Sequence, residues 1–335
     1  MSSGSRLTRP RPESYASLED RDVFSDPLLR LDHSSTLGPQ NGWLLIDGGG
    51  KIDPSVAAEF VRLAAGSQAN FVVIPTASSD RQLAWHTPLL QALYSRLNPS
   101  FVPDNELRVE WVAHGFTNVF GASHVSVLHT RDRNRANSAD FVEPLRHASG
   151  VWIWGGRQWR LADAYLGTSV EREIKALLAR GGVVGGESAG ATIQGSFLVR
   201  GAPGDQKNPE RDNRIMMVPG QEDGFGLLEN SAIDQHVIVR HREADLDPVI
   251  AAHPTLIGIG IDEEGAIVVH GNSFEVIGNR RVLIHDNKNH AGKLYYYLSP
   301  GQKFDLKTRR IINPITSIGK QGGRKAGLGQ GSLRR

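Results

Sequence analysis

At 335 residues, with 39% hydrophobic and 22% charged residues, the chain suits one large α/β domain with extensions, and no apolar run approaches the roughly 18 residues of a membrane span. The absence of cysteine excludes disulfides, thiolate metal sites and a cysteine nucleophile together. The formal charge is only +2, but it is uneven, with the basic excess gathered at the carboxyl end.

Residues 1–40 mix charges, prolines and serines without a sustained apolar period and read as an N-terminal extension that carries no catalytic group. The first residues lack the apolar run of a secretory signal, which predicts a cytoplasmic chain. Trp43 to Asp47 reads as a first buried strand, Gly48-Gly49-Gly50 as a tight turn, and Pro54 to Ala65 as a helix with proline in its first turn. Neither G-x-G-x-x-G nor G-K-[ST] accompanies those glycines, so they are not read as a phosphate loop. A second strand runs over Phe71 to Pro75 and ends in Thr76-Ala77-Ser78-Ser79-Asp80, which lines a cleft and caps a helix over residues 81–97. Strands are predicted at Arg108 to Ala113 and Val125 to Leu128, and a short helix at Asp140 to His147. A further strand, Val151 to Trp154, stops at Gly155-Gly156-Arg157-Gln158, and a helix covers Thr168 to Arg180. The alternation predicts a parallel, doubly wound sheet covered on both faces, with ligand loops at the carboxyl ends of its strands.

Gly181 to Ala191 holds the strongest chemical signal. Val183 and Val184 end a strand, and Gly186 and Gly190 flank Ser188 in a G-x-S-x-G turn that pushes the hydroxyl out and leaves the Ala189 amide unpaired at a helix start. Ser188 is therefore a candidate nucleophile, although a glycine-rich turn without chemistry would look the same. Residues 201–223, rich in proline, glycine and charge, read as a surface insertion.

A serine nucleophile needs a base, and the base an acid to hold its tautomer. His33, His129, His147, His285 and His290 sit in polar or turn-rich contexts and read as surface residues. His236 lies in the strand-like run Ala232 to Arg240, where an extended chain would place Asp234 and His236 on one face and Gln235 on the other. The acid is Asp262 or Glu263, at the end of the apolar strand Gly258 to Ile261.

In order, GGG at Gly48 to Gly50, IPTAS at Ile74 to Ser78, GG-x-Q at Gly155 to Gln158, G-x-SAGA at Gly186 to Ala191, DQH at Asp234 to His236 with Arg240 and Arg242 following, and GIGIDE at Gly258 to Glu263 resemble the S51 peptidase family in its cyanophycinase branch. The resemblance spans roughly residues 42–290. It implies a three-layer α/β sandwich with a mainly parallel sheet, like the class I glutamine amidotransferases, occupying residues 41–300 before a basic tail at 301–335. It further implies Ser188 as nucleophile, His236 as general base and acid, Glu263 as its orienter, and the Gly156 and Ala189 amides as oxyanion donors. Gln158, Asp234, Gln235, Arg240 and Arg242 would contact substrate. No cofactor or metal is implied, and a homodimer is.

The implied substrate is a peptide or polymer like cyanophycin, a polyaspartate whose β-carboxyls carry arginine, cut to β-Asp-Arg dipeptides through an acyl-enzyme. Its free carboxylates match Arg240 and Arg242, and its arginines match Asp234. Two positions depart from the pattern: Asp245 stands where a third arginine is expected, and Glu187 where a threonine is usual. Both are expected to add negative charge beside the substrate. The alternatives are an α- or β-aspartyl dipeptidase of the same family and a non-catalytic binding module that keeps the pocket. The tail, with nine Lys and Arg against Asp305 over residues 303–335, reads as a solvated end without structure, which argues against nucleic acid as partner.

Overall fold

The structure is a computed structural model that describes residues 36–78, 105–202 and 219–312. The expectations for residues 1–35, for Ser79, Asp80 and the helix over 81–97, for the middle of the insertion and for residues 313–335 lie outside the described residues.

The chain begins its sheet with β1 (Trp43–Asp47), where Leu44 and Ile46 pack to one face and Leu45 to the other. Helix α1 (Pro54–Leu63) starts where the Asp53 side chain accepts from Ser55 N at 2.8 Å and Pro54 fills the first turn. It buries Val56, Ala57 and Phe60. Strand β2 (Asn70–Ile74) follows, and then α2 (Asn105–Phe120).

The expected strand at Arg108 to Ala113 is thus part of a helix. Its first four residues, Arg108 to Trp111, alternate polar and apolar, but the period that wins is four: Val112, Phe116 and Phe120 form one buried stripe. Phe116 and Phe120 stack with centroids 4.3 Å apart, and Phe120 meets Trp152 at 4.8 Å, so α2 is held by an aromatic cluster that includes Phe60. Each such pair contributes about 0.5–1.5 kcal/mol beyond its buried area.

The main sheet continues through β3 (His124–Val127), β4 (Gly150–Ile153) and β5 (Val183–Glu187), between which lie α3 (Arg133–Ala136), α4 (Ala139–His147), α5 (Gln158–Tyr165) and α6 (Ser169–Ala179). Helix α7 (Ala189–Thr192) leads to β6 (Gly195–Phe197), and β7 (Leu228–Gln235), α8 (Asp247–Ala252) and β8 (Ile257–Ile261) follow. The chain then returns to the main sheet with β9 (Gly265–His270) and β10 (Ser273–Gly278), visits the smaller sheet with β11 (Val282–His290) and β12 (Lys293–Leu298), and ends at β13 (Lys303–Asp305) and β14 (Arg310–Ile311).

Nine strands in the order β14-β13-β10-β9-β1-β5-β4-β2-β3 make the main sheet. It is parallel from β1 to β3 and antiparallel from β1 outward to β14. A second sheet, β12-β11-β8-β7-β6, shares a core with α4 to α7 on one face, while α1 and α2 cover the other. The fold is therefore a mixed α/β sandwich, as expected. Two details differ. Residues 303–311, read as part of a solvated tail, pair into the edge of the main sheet. His285, read as a surface residue, is buried and bonded to Asp247 at 2.7 Å. Among the described residues, no helix is long and apolar enough to cross a membrane.

Candidate active site

The glycine turn after β1 is the point where three loops meet. The Asp47 carbonyl accepts from Ser188 N at 3.0 Å, Gly48 O from His236 N at 3.3 Å, and Gly49 O from Glu264 N at 3.1 Å. A side chain at Gly49 would stand 2.5 Å from His236 Cε1 and 3.1 Å from Ser188 Cβ, so only glycine lets the serine and imidazole close over the turn.

Ser188 occupies the break between β5 and α7 with φ 53° and ψ −111°, outside the ordinary regions for a side-chain-bearing residue. Such backbone costs about 1–3 kcal/mol and persists because packing on both sides imposes it. Gly190 is part of that packing, since a Cβ there would collide with the Ile153 carbonyl of β4. The turn aims the hydroxyl at the end of β7. Ser188 Oγ lies 2.8 Å from His236 Nε2, and His236 Nδ1 lies 2.7 Å from Glu263 Oε1.

The histidine reaches this line because β7 stops at Gln235. His236 has φ 54°, which swings it out of the sheet, so it does not share a face with Asp234 as an unbroken strand would require. The two candidate acids also separate. Asp262 Oδ1 accepts from the Ile238 and Val239 amides, each at 3.0 Å, and shapes the loop after the histidine, while Glu263 takes the imidazole. Burial, and then the positive charge of Arg240, push the imidazole pKa down to about 4 against the pull of Glu263. The ring is thus neutral at neutral pH, with Nε2 able to accept a proton when Nδ1–H is donated to Glu263. Among the described residues, the Gly156 and Ala189 amides donate no hydrogen bond, and both belong to the loops that flank Ser188.

Of the five residues expected to contact substrate, the structure brings Arg240 to the surface beside His236 and places the other four inside. Gln158 is the first residue of α5 and donates to Val199 O at 3.1 Å. Arg242 donates to the backbone and side-chain oxygens of Gln235 at 3.2 and 3.3 Å, and burial lowers its pKa to about 10. Asp234 is fully buried, and Arg200 grips it with two hydrogen bonds of 2.8 and 2.9 Å. It is therefore committed to an internal ion pair, and no longer free for a substrate arginine. Arg200 also holds Asp245 at 2.6 Å, so the carboxylate expected to repel a polyanion is engaged by a cation of the protein. Arg200 lies in Val199-Arg200-Gly201 after β6, 34 residues before Asp234, and no local pattern announces the pairing. Arg157, the variable residue of GG-x-Q, lies near enough to Arg240 to oppose its charge, and together they make this rim positive.

Glu187 has the contrasting position. It points from β5 toward α1 and α2, where it lines a cleft of about 690 Å³ with Gly50, Trp154, Phe116 and Phe120. Burial raises its pKa to about 7, opposed by one long contact of 3.5 Å from Gly155 N. Asp47, its register partner on β1, is fully buried, and burial raises its pKa well above its ordinary value. Among the described residues, no three His, Asp or Glu side chains converge as a metal site.

Comparison with known proteins gives the family that the motifs resemble. The model of peptidase family S51 matches residues 44–277. A cyanophycinase of Nostoc sp. (strain PCC 7120) is 32% identical over 217 residues, covering 59% of this chain and 70% of that protein. The cyanophycinase of Geminocystis herdmanii is 28% identical over 235 residues, 70% of this chain and 75% of its own. That of Synechococcus elongatus is 25% identical over 301 residues, 87% and 84%. A crystal structure of a peptidase from an acI-B1 Actinobacterium superposes with a TM-score of 0.55 at 22% identity, covering 80% of this chain and 98% of that one, a likeness of fold.

Proposed function

The chain belongs to peptidase family S51, and from that premise we propose that it is a serine-type exopeptidase that cuts cyanophycin to β-Asp-Arg dipeptides through an acyl-enzyme. The observation that carries this reading is the hydrogen-bonded line Ser188–His236–Glu263, 2.8 and 2.7 Å between its members. Ser188 Oγ attacks the scissile carbonyl while His236 Nε2 takes its proton, and Glu263 holds Nδ1–H and balances the imidazolium that forms. The carbonyl oxygen becomes an oxyanion facing the Ala189 and Gly156 amides, at the start of α7. His236 returns the proton to the leaving amine, whose bond to carbon breaks. Water, deprotonated by the same imidazole, then attacks the ester and frees Ser188.

Arg240, exposed at the rim with Arg157 close by, supplies positive charge for the free carboxylates of a polyaspartyl chain. The names of the relatives, all cyanophycinases, support the polymer as substrate. The test is incubation with insoluble cyanophycin and, separately, with a panel of α- and β-aspartyl dipeptides. The expected result is release of β-Asp-Arg from the polymer, lost in Ser188→Ala. Hydrolysis of dipeptides with the polymer untouched would replace this reading with an aspartyl dipeptidase.

A further inference from the structure

The segment after β4 runs alongside the loop after β2 and is bonded to it at both ends. Trp154 N donates to Ile74 O at 3.0 Å, and Arg157 N donates to Ala77 O at 2.8 Å. Between these two bonds lie Gly155 and Gly156. Gly155 faces the nucleophile, since a Cβ there would stand 3.7 Å from Ser188 Oγ. Gly156 faces the neighbouring loop: its φ is 144°, and a Cβ would stand 2.2 Å from Ala77 O, so only glycine lets the two loops approach.

A peptide between two glycines turns more freely than others, because neither neighbour carries a Cβ to obstruct the rotation. In a planar trans peptide the carbonyl and the N–H point in opposite directions. The Gly155–Gly156 unit thus has two orientations of opposite consequence. One offers its N–H to an oxyanion formed beside Ser188; the other offers a carbonyl, whose partial negative charge opposes that oxyanion. Ser78 Oγ donates to Gly155 O at 3.0 Å. The serine is itself held, its N–H donating to Pro75 O at 2.9 Å and its carbonyl accepting from Arg131 Nη2 at 2.8 Å. With Gly155 O drawn toward Ser78, the Gly156 N–H points the opposite way, and among the described residues it donates no hydrogen bond. The preceding peptide is held less tightly, because Gly155 N reaches Glu187 Oε1 only at 3.5 Å.

We propose that Ser78 is a positioning residue of the hydrolytic reaction: its hydroxyl holds the Gly155–Gly156 peptide in the orientation that presents the Gly156 N–H to the oxyanion. The inference rests on the reading of Ser188 as nucleophile and is independent of which peptide is cut. The Ser188–His236–Glu263 bonds involve neither Ser78 nor Gly155. Loss of the hydroxyl therefore removes stabilisation of the oxyanion and spares the nucleophile and its base.

The test uses the full chain, with hydrolysis of p-nitrophenyl acetate and binding of a β-aspartyl aldehyde as readouts. With the aldehyde, Ser188 Oγ adds to the carbonyl carbon, its proton passes to His236 Nε2, and the carbonyl oxygen becomes the anion that the amides hold. The corresponding alcohol cannot add to the serine and reports binding without an oxyanion. Loss of one oxyanion donor lowers kcat about 100- to 1000-fold, so a donor turned away most of the time should lower it about 10- to 100-fold. Ser78→Ala should show that loss in kcat and in aldehyde affinity alike, with KM and affinity for the alcohol unchanged. Ser78→Thr, which keeps the hydroxyl, should stay near the parent, and Ser78→Cys, a weak donor of similar size, should fall between. Should Ser78→Ala not fold, the gap between the Thr and Cys variants decides. Parent-like kcat without the hydroxyl, or aldehyde and alcohol affinities that fall together, overturns the proposal. Its failure is distinguishable from that of the functional reading: a chain that cleaves cyanophycin at the parent rate in Ser78→Ala loses only the role of Ser78. One that shows the Ser78 pattern on ester and aldehyde but leaves cyanophycin intact loses only the polymer, and a parent that binds aldehyde no better than alcohol loses both.

Discussion

Asp234 and Glu187 lie near the ends of two strands that flank the same serine, the first fully buried and the second partly so, yet their surroundings are opposite. On the side of the second sheet, Asp234 is clasped by Arg200, which also holds Asp245, and the charge is balanced inside the protein. On the side of α1 and α2, Glu187 and Asp47 have no such cation among the described residues, and burial pushes both pKa values up. The first arrangement is architecture, because removing either partner strands the other. The second leaves two carboxylates whose charge burial opposes. A buried carboxylate beside a nucleophile is thus not by itself a substrate contact; the cation already bonded to it decides.

The largest effect should come from breaking the paired side. Arg200→Met leaves Asp234 buried without its cation and should cost about 3–5 kcal/mol of unfolding free energy, measured by urea denaturation. Arg200→Met with Asp234→Asn should recover much of that loss, since no charge is then stranded. A single variant as stable as the parent would remove the distinction between the two sides.

The unpaired side should respond in the other direction, and less. Glu187 has a folded pKa raised to about 7, above its unfolded value, so its contribution to stability is present below the ordinary carboxylate range and is lost as pH rises through about 7. Glu187→Gln should therefore raise Tm at pH 8, by an amount corresponding to about 1–3 kcal/mol, and make little difference near pH 4. A Tm difference that is the same at both pH values would show that Glu187 is charged without cost in the free protein.

Much of this was legible in the sequence, and the failures have physical causes. Strand, glycine turn and helix could be read through Ser188 because β1, β2 and β4 are largely apolar and β5 opens with Val183-Val184, and each strand is followed within two residues by glycine or a hydroxyl residue. Arg108 to Ala113 misled because so short a segment, alternating over its first four residues, fits a strand as well as a helix, and the stripe Val112, Phe116, Phe120 emerges only over a longer window. His236 was identifiable as a candidate by its polar neighbours, but its left-handed backbone was not, and that turn is what separates it from Asp234. The Arg200 pairing spans 34 residues of chain and leaves no local mark. The charge of Glu187 was visible; its burial over an apolar cleft depends on α2, the element misread as a strand. Residues 265–311 carry no residue of the candidate site, and only their pairing shows that 265–278 and 303–311 extend the main sheet beyond β1 while 282–298 complete the second sheet.

The central claim is that Ser188 is a nucleophile activated by His236 and Glu263, and labelling with a neutral fluorophosphonate, followed by intact mass and peptide mapping, tests it most directly. The account predicts one label per chain on Ser188, none in Ser188→Ala, labelling slowed at least about 100-fold in His236→Ala, and a smaller loss in Glu263→Gln. Because the imidazole must be neutral to take the serine proton, the rate should hold from pH 8 to about 5 and fall as pH drops through about 4. Labelling that persists in Ser188→Ala, or that maps to another residue, would contradict the account.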